Sequence, residues 1–181
     1  MNFKGYSTQG IVLSRRNYHE ADRRIKIFTK DYGKVVVLAK GVRRPKSRKR
    51  GSVEVFSKIR FSASRTKTFD IITETIPEDL YLSIRNNLRK MSLAYYFIEI
   101  IEKITSENEK HEVLYDLLVD FLERLKTETK LKKLRLEFIQ KTLINLGFWP
   151  LGKELKNADG VLEDVLERKI NSVRVGKAIL G

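Results

Sequence analysis

The sequence contains no cysteine. Disulfides, thiol nucleophiles and thiolate metal sites are therefore excluded. Histidine is nearly as scarce. His19 and His111 are the only two, too few nitrogen ligands for an ordinary structural zinc. Long apolar runs are missing as well. The most apolar stretch, Leu93 to Ile104, is broken by Glu99, Glu102 and Lys103. A spanning helix needs about 20 apolar residues, so no membrane association is expected. Residues 1–10 hold one Lys and no apolar signal core, which leads to a cytoplasmic expectation. Phosphate-loop chemistry is absent too. Gly33-Lys34 and Gly152-Lys153 lack the preceding glycine spacing and the following Ser or Thr. There is no nucleophile elbow and no H-E-x-x-H pattern. His19 beside Glu20 and Asp22 reads as a polar strand end, and His111 among Glu107, Glu109, Lys110 and Glu112 as a solvated loop residue. No catalytic residue, no cofactor and no metal is assigned, and an enzyme is not expected.

Acid is scarce relative to base. The 181 residues carry 37 Lys+Arg and 23 Asp+Glu, a formal net charge of +14. The excess is uneven. Residues 1–80 hold 19 Lys+Arg against 8 Asp+Glu, a net of +11, whereas residues 81–181 hold 18 against 15. Such a balance calls for a polyanionic partner. Within the first half, Lys40 to Arg50 (KGVRRPKSRKR) holds seven bases and no acid. A run this dense repels itself and predicts a mobile loop, which Pro45 and the bracketing Gly41 and Gly51 support.

Two periodicities divide the chain. In the first half apolar residues alternate, and five strands are predicted: 10–18, 23–29, 34–40, 53–63 and 68–75. Val35 to Ala39 is apolar on both faces. Val53, Val55, Ile59, Phe61 and Ala63 form one face of the fourth strand, with Glu54, Lys58, Arg60 and Ser62 opposite and Phe56 out of pattern. Lys30-Asp31-Tyr32-Gly33 predicts a hairpin with positive φ at Gly33. Five short strands in 79 residues suggest a small closed barrel, because closure removes exposed sheet edges. Pro77 is expected to end this region. Beyond it the period is helical. Asp79 is the predicted N-cap of a helix reaching about Ile104. A second helix carries Leu114, Leu117, Leu118, Phe121, Leu122 and Leu125. A third carries Leu131, Leu134, Phe138, Leu143 and Leu146 and stops at Gly147. Val161, Leu162, Val165, Leu166 and Ile170 fit one more. The expected fold is a multidomain β plus α chain, with a barrel over 1–79 and an all-α domain over 80–181, residues 151–181 being left open.

The candidate nucleic-acid contacts are Lys34, Lys40, Arg43, Arg44, Lys46, Arg48, Lys49, Arg50, Lys58 and Arg60. Lys and Arg at these places can follow a phosphate backbone without reading its sequence. Tyr18, Tyr32 and Phe56 could add stacking platforms if they face outward. Charge and stacking serve DNA and RNA alike, so an RNA-binding barrel protein stands beside a DNA-binding one. A protein-interaction adaptor that uses the basic loop on an acidic partner is a further alternative.

In order along the chain stand Gly10-Ile11-Val12-Leu13, Tyr18-His19-Glu20-Ala21-Asp22, Phe28-Thr29, Gly33-Lys34, Ala39-Lys40-Gly41 and Arg43-Arg44-Pro45-Lys46-Ser47-Arg48. Leu146-Gly147-Phe148-Trp149-Pro150 closes the third helix. This series resembles the bacterial recombination mediator family RecO over residues 7–150, and AKGVRRPKSR is its most specific part. The resemblance implies an N-terminal five-stranded OB-fold followed by a helical domain. It implies binding of single- and double-stranded DNA and annealing of complementary strands in recombinational DNA repair. It further implies partnership with RecR, and help for RecA in displacing single-strand DNA-binding protein (SSB), whose acidic, hydrophobic tail is received by the helical domain. A bacterial, nucleoid-associated location follows from the same likeness. Many members carry a four-cysteine zinc module after the Leu-Gly-aromatic-x-Pro run. Residues 151–181 have no cysteine, so no zinc module is expected here.

Overall fold

A computed structural model describes residues 5–47, 49 and 51–166. The chain forms two compact units. One comprises the chain up to Tyr81 together with Thr105–Glu112; the other comprises Leu82–Ile104 and the chain from Val113 onward. No helix among the described residues is long and apolar enough to cross a membrane.

The first unit is a closed barrel of five strands: β1 Gly5–Tyr18, β2 Asp22–Thr29, β3 Gly33–Ala39, β4 Lys58–Ser64 and β5 Asp70–Asp79. Their order around the barrel is β1-β2-β3-β5-β4, and β4 pairs back onto β1. All pairings are antiparallel except β3 with β5. This is the OB arrangement that the sequence led us to expect. Alternate residues point inward. Val12, Ile25, Ile27, Val35, Val37, Ala39, Ile59, Phe61, Ala63 and Ile72 meet in the core, joined from the β3–β4 connection by Val42 and Val53. The β2–β3 hairpin closes between Thr29 and Gly33, with Gly33 at φ +67°. Thr29 Oγ1 donates to the Gly33 carbonyl at 2.8 Å and accepts from the Tyr32 N–H at 3.0 Å, so the turn is held from inside.

Three expectations for the barrel are corrected. The fourth strand starts at Lys58, not at residue 53. Phe56 takes φ +54° and its N–H donates to the Val12 carbonyl at 2.7 Å, while the Val12 N–H donates to Ser57 O at 3.0 Å. Residues 53–57 are thus an apolar turn that plugs the core. Pro77 does not end the barrel but lies within β5, opposite Ile59 at a register shift. It is tolerated because β5 pairs with β3 only at Asp70 and Ile71, so further along the edge away from β4 no ladder bond is lost. Asp79 caps no long helix. Its Oδ1 accepts from the Tyr81 N–H at 2.6 Å at the end of β5.

Residues 105–112, assigned from the sequence to the all-α domain as a connecting stretch, build onto the barrel instead. Glu107 bridges to Lys34 as a short parallel extension, and the Asn108 N–H donates to Lys34 O at 2.9 Å. Gly33 makes this approach possible, since a Cβ there would sit 1.8 Å from Glu109 O.

The helical unit contains a short helix α1 (Leu82–Arg85), then α2 (Leu88–Ile104), α3 (Glu112–Thr127, whose first residue belongs to the barrel unit), α4 (Leu131–Asn145) and α5 (Ala158–Leu166). The start of α2 is marked by Asn87, whose Oδ1 accepts from the Lys90 N–H at 3.1 Å. Phe97, Phe121 and Phe138 stack at the centre, with ring centroids 4.1 to 5.9 Å apart. Helix α4 stops where expected. Gly147 lies at φ +78°, its N–H donates to Ile144 O at 3.0 Å, and the Phe148 N–H donates to Leu143 O at 2.9 Å, a Schellman closure. A buried pair ties α5 to α4: Arg135, 6% exposed, holds Asp159 at 2.6 and 3.2 Å. Ile170, assigned to this last helix, lies outside the described residues.

Candidate nucleic-acid interface

The β3–β4 connection begins at Lys40. Its two ends are pinned. Gly41, at φ +65°, donates its N–H to Asp22 Oδ1 at 2.7 Å, and the Arg43 N–H donates to Ala21 O at 2.9 Å. Successive turns follow from Arg44 N–H to Gly41 O and from Ser47 N–H to Arg44 O. Val42 and Val53, both fully buried, anchor the two ends in the core.

The ten predicted cations separate into distinct situations. Lys40, Arg44 and Lys46 are exposed, and their side chains make no hydrogen bond or ion pair among the described residues. Arg43 is exposed but donates to the carbonyls of Glu20 at 2.9 Å and His19 at 3.4 Å, so it braces the β1–β2 turn. Lys49 donates to Ile72 O at 2.8 Å and fastens the loop to β5. Lys58 and Arg60 share Glu78, at 3.5 and 3.0 Å, which offsets part of their charge. Lys34 is withdrawn from the set of phosphate contacts. It is 6% exposed and its Nζ donates to Thr105 O at 2.5 Å, so it serves the 105–112 attachment. Arg48 and Arg50 lie outside the described residues.

The aromatic candidates also diverge. Phe56 is fully buried. Tyr18 is half-buried between His19 and Phe69, at 4.2 and 5.9 Å. Tyr32 packs on Tyr6 at 4.7 Å along a cavity of about 470 Å³ that also takes in Arg65 and Asp70. Burial and a 2.9 Å hydrogen bond to Asp70 raise the Tyr6 phenol above its ordinary range, so it is a neutral donor at any ordinary pH.

Sequence reasoning missed a second basic group. Strand register sets Arg16 opposite Arg24 and Ser14 opposite Lys26. Together with Glu107 these four line a cavity of about 120 Å³ on the barrel. The signal was present in the alternation of β2, where Ile25 and Ile27 point inward and Arg24 and Lys26 the other way. The cluster is nonetheless built across strands, and a search for contiguous charge runs passes over it.

The helical unit carries a larger cavity of about 740 Å³ along α4. Arg89, Lys130, Lys132 and Lys133 supply cations to it, and Leu131 and Leu136 supply apolar surface. Glu137 lies at its edge and is held below the ordinary carboxylate range, down to about 2, chiefly by its hydrogen bonds from Arg124 and also by Lys141. Among the described residues no three His, Cys, Asp or Glu side chains gather as metal ligands. With no cysteine in the sequence, a four-cysteine zinc module has no donor set here.

Known proteins agree with this architecture. Residues 1–81 match the family described as "Recombination protein O N terminal", and residues 85–152 match "Recombination protein O C terminal". A "DNA repair protein RecO" of Pelotomaculum thermopropionicum is 30% identical over 178 residues, which covers 98% of this chain and 68% of that protein. Proteins of the same name from Alkaliphilus metalliredigens and Desulforudis audaxviator are 34% and 33% identical over 121 and 148 residues. This chain spans 49% and 59% of their lengths, less than two thirds in either case. A five-stranded barrel in OB order, the helices after it, and matches that take in both halves lead to one conclusion: the chain belongs to the Recombination protein O (RecO) family of DNA repair proteins.

Proposed function

We propose that this chain is a non-enzymatic DNA-binding and strand-annealing mediator of recombinational repair. In this reading it binds single- and double-stranded DNA and works with RecR to help RecA load on strands covered by SSB. The observation that carries the proposal is the exposed trio Lys40, Arg44 and Lys46, without side-chain partners among the described residues, on a barrel of a RecO-family chain. Cations placed this way neutralise phosphates and release counterions. When the same surface neutralises two strands, their mutual repulsion falls and complementary bases can pair. Contact by charge alone reads no sequence, which suits a protein that must act wherever single strands arise.

The α4 cavity suits the SSB tail. An acidic, apolar peptide needs cations beside an apolar trough, and Lys130, Lys132, Lys133 and Arg89 around Leu131 and Leu136 supply both. Mobility shifts test the proposal. Single- and double-stranded DNA should bind at low salt, and DNA should outcompete RNA of the same length. Preference for RNA, or no binding to either, would refute it. Fluorescence titration with the acidic tail peptide tests the cavity. Lys132→Glu with Lys133→Glu should weaken peptide binding at least tenfold and leave DNA binding by the barrel intact.

A further inference from the structure

The cavity at Ser14, Arg16, Arg24, Lys26 and Glu107 differs in kind from the basic loop. Loop cations sit on a succession of turns. The cavity cations sit on two paired strands, where backbone register fixes their spacing. Arg16 and Arg24 are directly opposite, which puts their Cβ atoms about 5 Å apart. Like charges in that position repel, which favours an anion beside them. Lys26 is two residues along β2 from Arg24 and on the same face, and Ser14 faces it with a hydroxyl. One carboxylate, Glu107, stands against three cations.

Arg24 gives the more specific sign. Its guanidinium lies over the Phe69 ring at 5.2 Å, which holds its plane. Its Nε–H is buried and donates to nothing among the described residues. A buried guanidinium N–H without an acceptor is costly and therefore rare. The cavity is small, about 120 Å³. That is room for a phosphate group.

We propose that Arg16, Arg24 and Lys26 form a rigid pocket for a single phosphate group of a nucleic-acid backbone, separate from the contacts of the basic loop. Planar guanidinium donors suit a tetrahedral oxyanion, Lys26 adds a point charge, and the Ser14 hydroxyl donates to a further oxygen. The pocket lies beside the strands that lead into the loop: Arg24 pairs with Leu38, two residues before Lys40. A strand whose phosphate is seated here continues directly onto the loop cations. The pocket then fixes the position of the strand, and the loop supplies affinity. This inference rests on the proposed DNA binding for its place in function, but the phosphate pocket stands on its own geometry.

The test uses the intact chain and the Nε–H resonances of its arginines. Titration with inorganic phosphate should shift the Arg24 Nε–H saturably, and chloride at equal ionic strength should not. Arg16→Ala should abolish that shift, whereas the loop variant Lys40→Ala, Arg44→Ala, Lys46→Ala should retain it. An oligothymidylate should shift the same resonance with or without a 5′-terminal phosphate, which marks a backbone diester as the ligand. Dependence on the terminal phosphate would instead assign the pocket to strand ends and overturn the backbone proposal. Arg24→Gln should lower oligonucleotide affinity about tenfold, and Arg24→Lys should recover part of it; retention of the far-ultraviolet spectrum in Arg16→Ala separates loss of the site from loss of the fold. An Arg24 resonance indifferent to phosphate, or equally responsive to chloride, would overturn the proposal. A phosphate-responsive Arg24 in a chain that binds no DNA would leave the pocket standing and refute the DNA reading instead.

Discussion

Replacing Lys40, Arg44 and Lys46 together by Ala removes the three loop cations that have no side-chain partner among the described residues. None of them supports the fold by a side-chain bond, so the barrel should be unaffected. Each phosphate neutralised on a single strand contributes about −0.7 to the slope of log affinity against log salt. Three lost contacts should therefore flatten the slope by about 2. Counterion release vanishes near 1 M salt, so the loss at 0.1 M should be about 100-fold, or about 3 kcal/mol. Fluorescence anisotropy of a labelled oligothymidylate, measured from 0.05 to 0.5 M salt, reads both quantities. The lines for the parent and variant proteins should converge as salt rises. The same flattening should occur on mixed-sequence strands. An unchanged slope would refute the reasoning, and so would a uniform loss of affinity at all salt concentrations, because either result would mean that these residues do not act through phosphate charge.

Other outcomes follow from side chains that the structure places differently from one another. Glu78→Gln should raise DNA affinity about two- to fivefold in the same anisotropy assay, because Lys58 and Arg60 would no longer share its carboxylate. Lys34→Met should cost about 1–3 kcal/mol in urea unfolding, through loss of the buried bond to Thr105 O, and leave the affinity of the folded protein unchanged. Glu137 has a folded pKa of about 2, below its unfolded value, so its contribution is fully present above about pH 5 and is lost as pH falls through about 2. Glu137→Gln should therefore lower the thermal midpoint at pH 7 by an amount corresponding to about 1 kcal/mol and make little difference near pH 2, as followed by circular dichroism at the two pH values.

Much of the architecture was legible because it depends on local pattern. The alternation of Val35 to Ala39 marked a strand apolar on both faces, and Leu146-Gly147 marked a helix end that only a positive φ completes. Other features depend on which segments meet. The alternation at Val53 and Val55 extends into β4 without a break, and nothing local tells that Phe56 turns to reach the Val12 carbonyl. Pro77 reads as a terminator until the pairing shows that one edge of β5 is free beyond Ile71. The site divides in the same way. Contiguous charge found the loop but could not tell Lys40 from Lys49, because Ile72 O lies 23 residues further along the chain. Lys34 counted as a surface cation although it sits in the strand whose two faces read as buried. Arg16, Arg24 and Lys26 become neighbours only through the β1–β2 register, which shifts between Val12 and Ser14. A one-residue change there would turn one set of side chains to the opposite face.

The central claim is that the loop cations of the barrel bring DNA strands together. Annealing of complementary strands coated with SSB, followed by fluorescence transfer between end labels, tests it most directly. The parent chain should accelerate annealing at low salt, and Lys40→Ala, Arg44→Ala, Lys46→Ala should lose most of that acceleration. Equal acceleration by the two proteins, or none by the parent, would contradict the account.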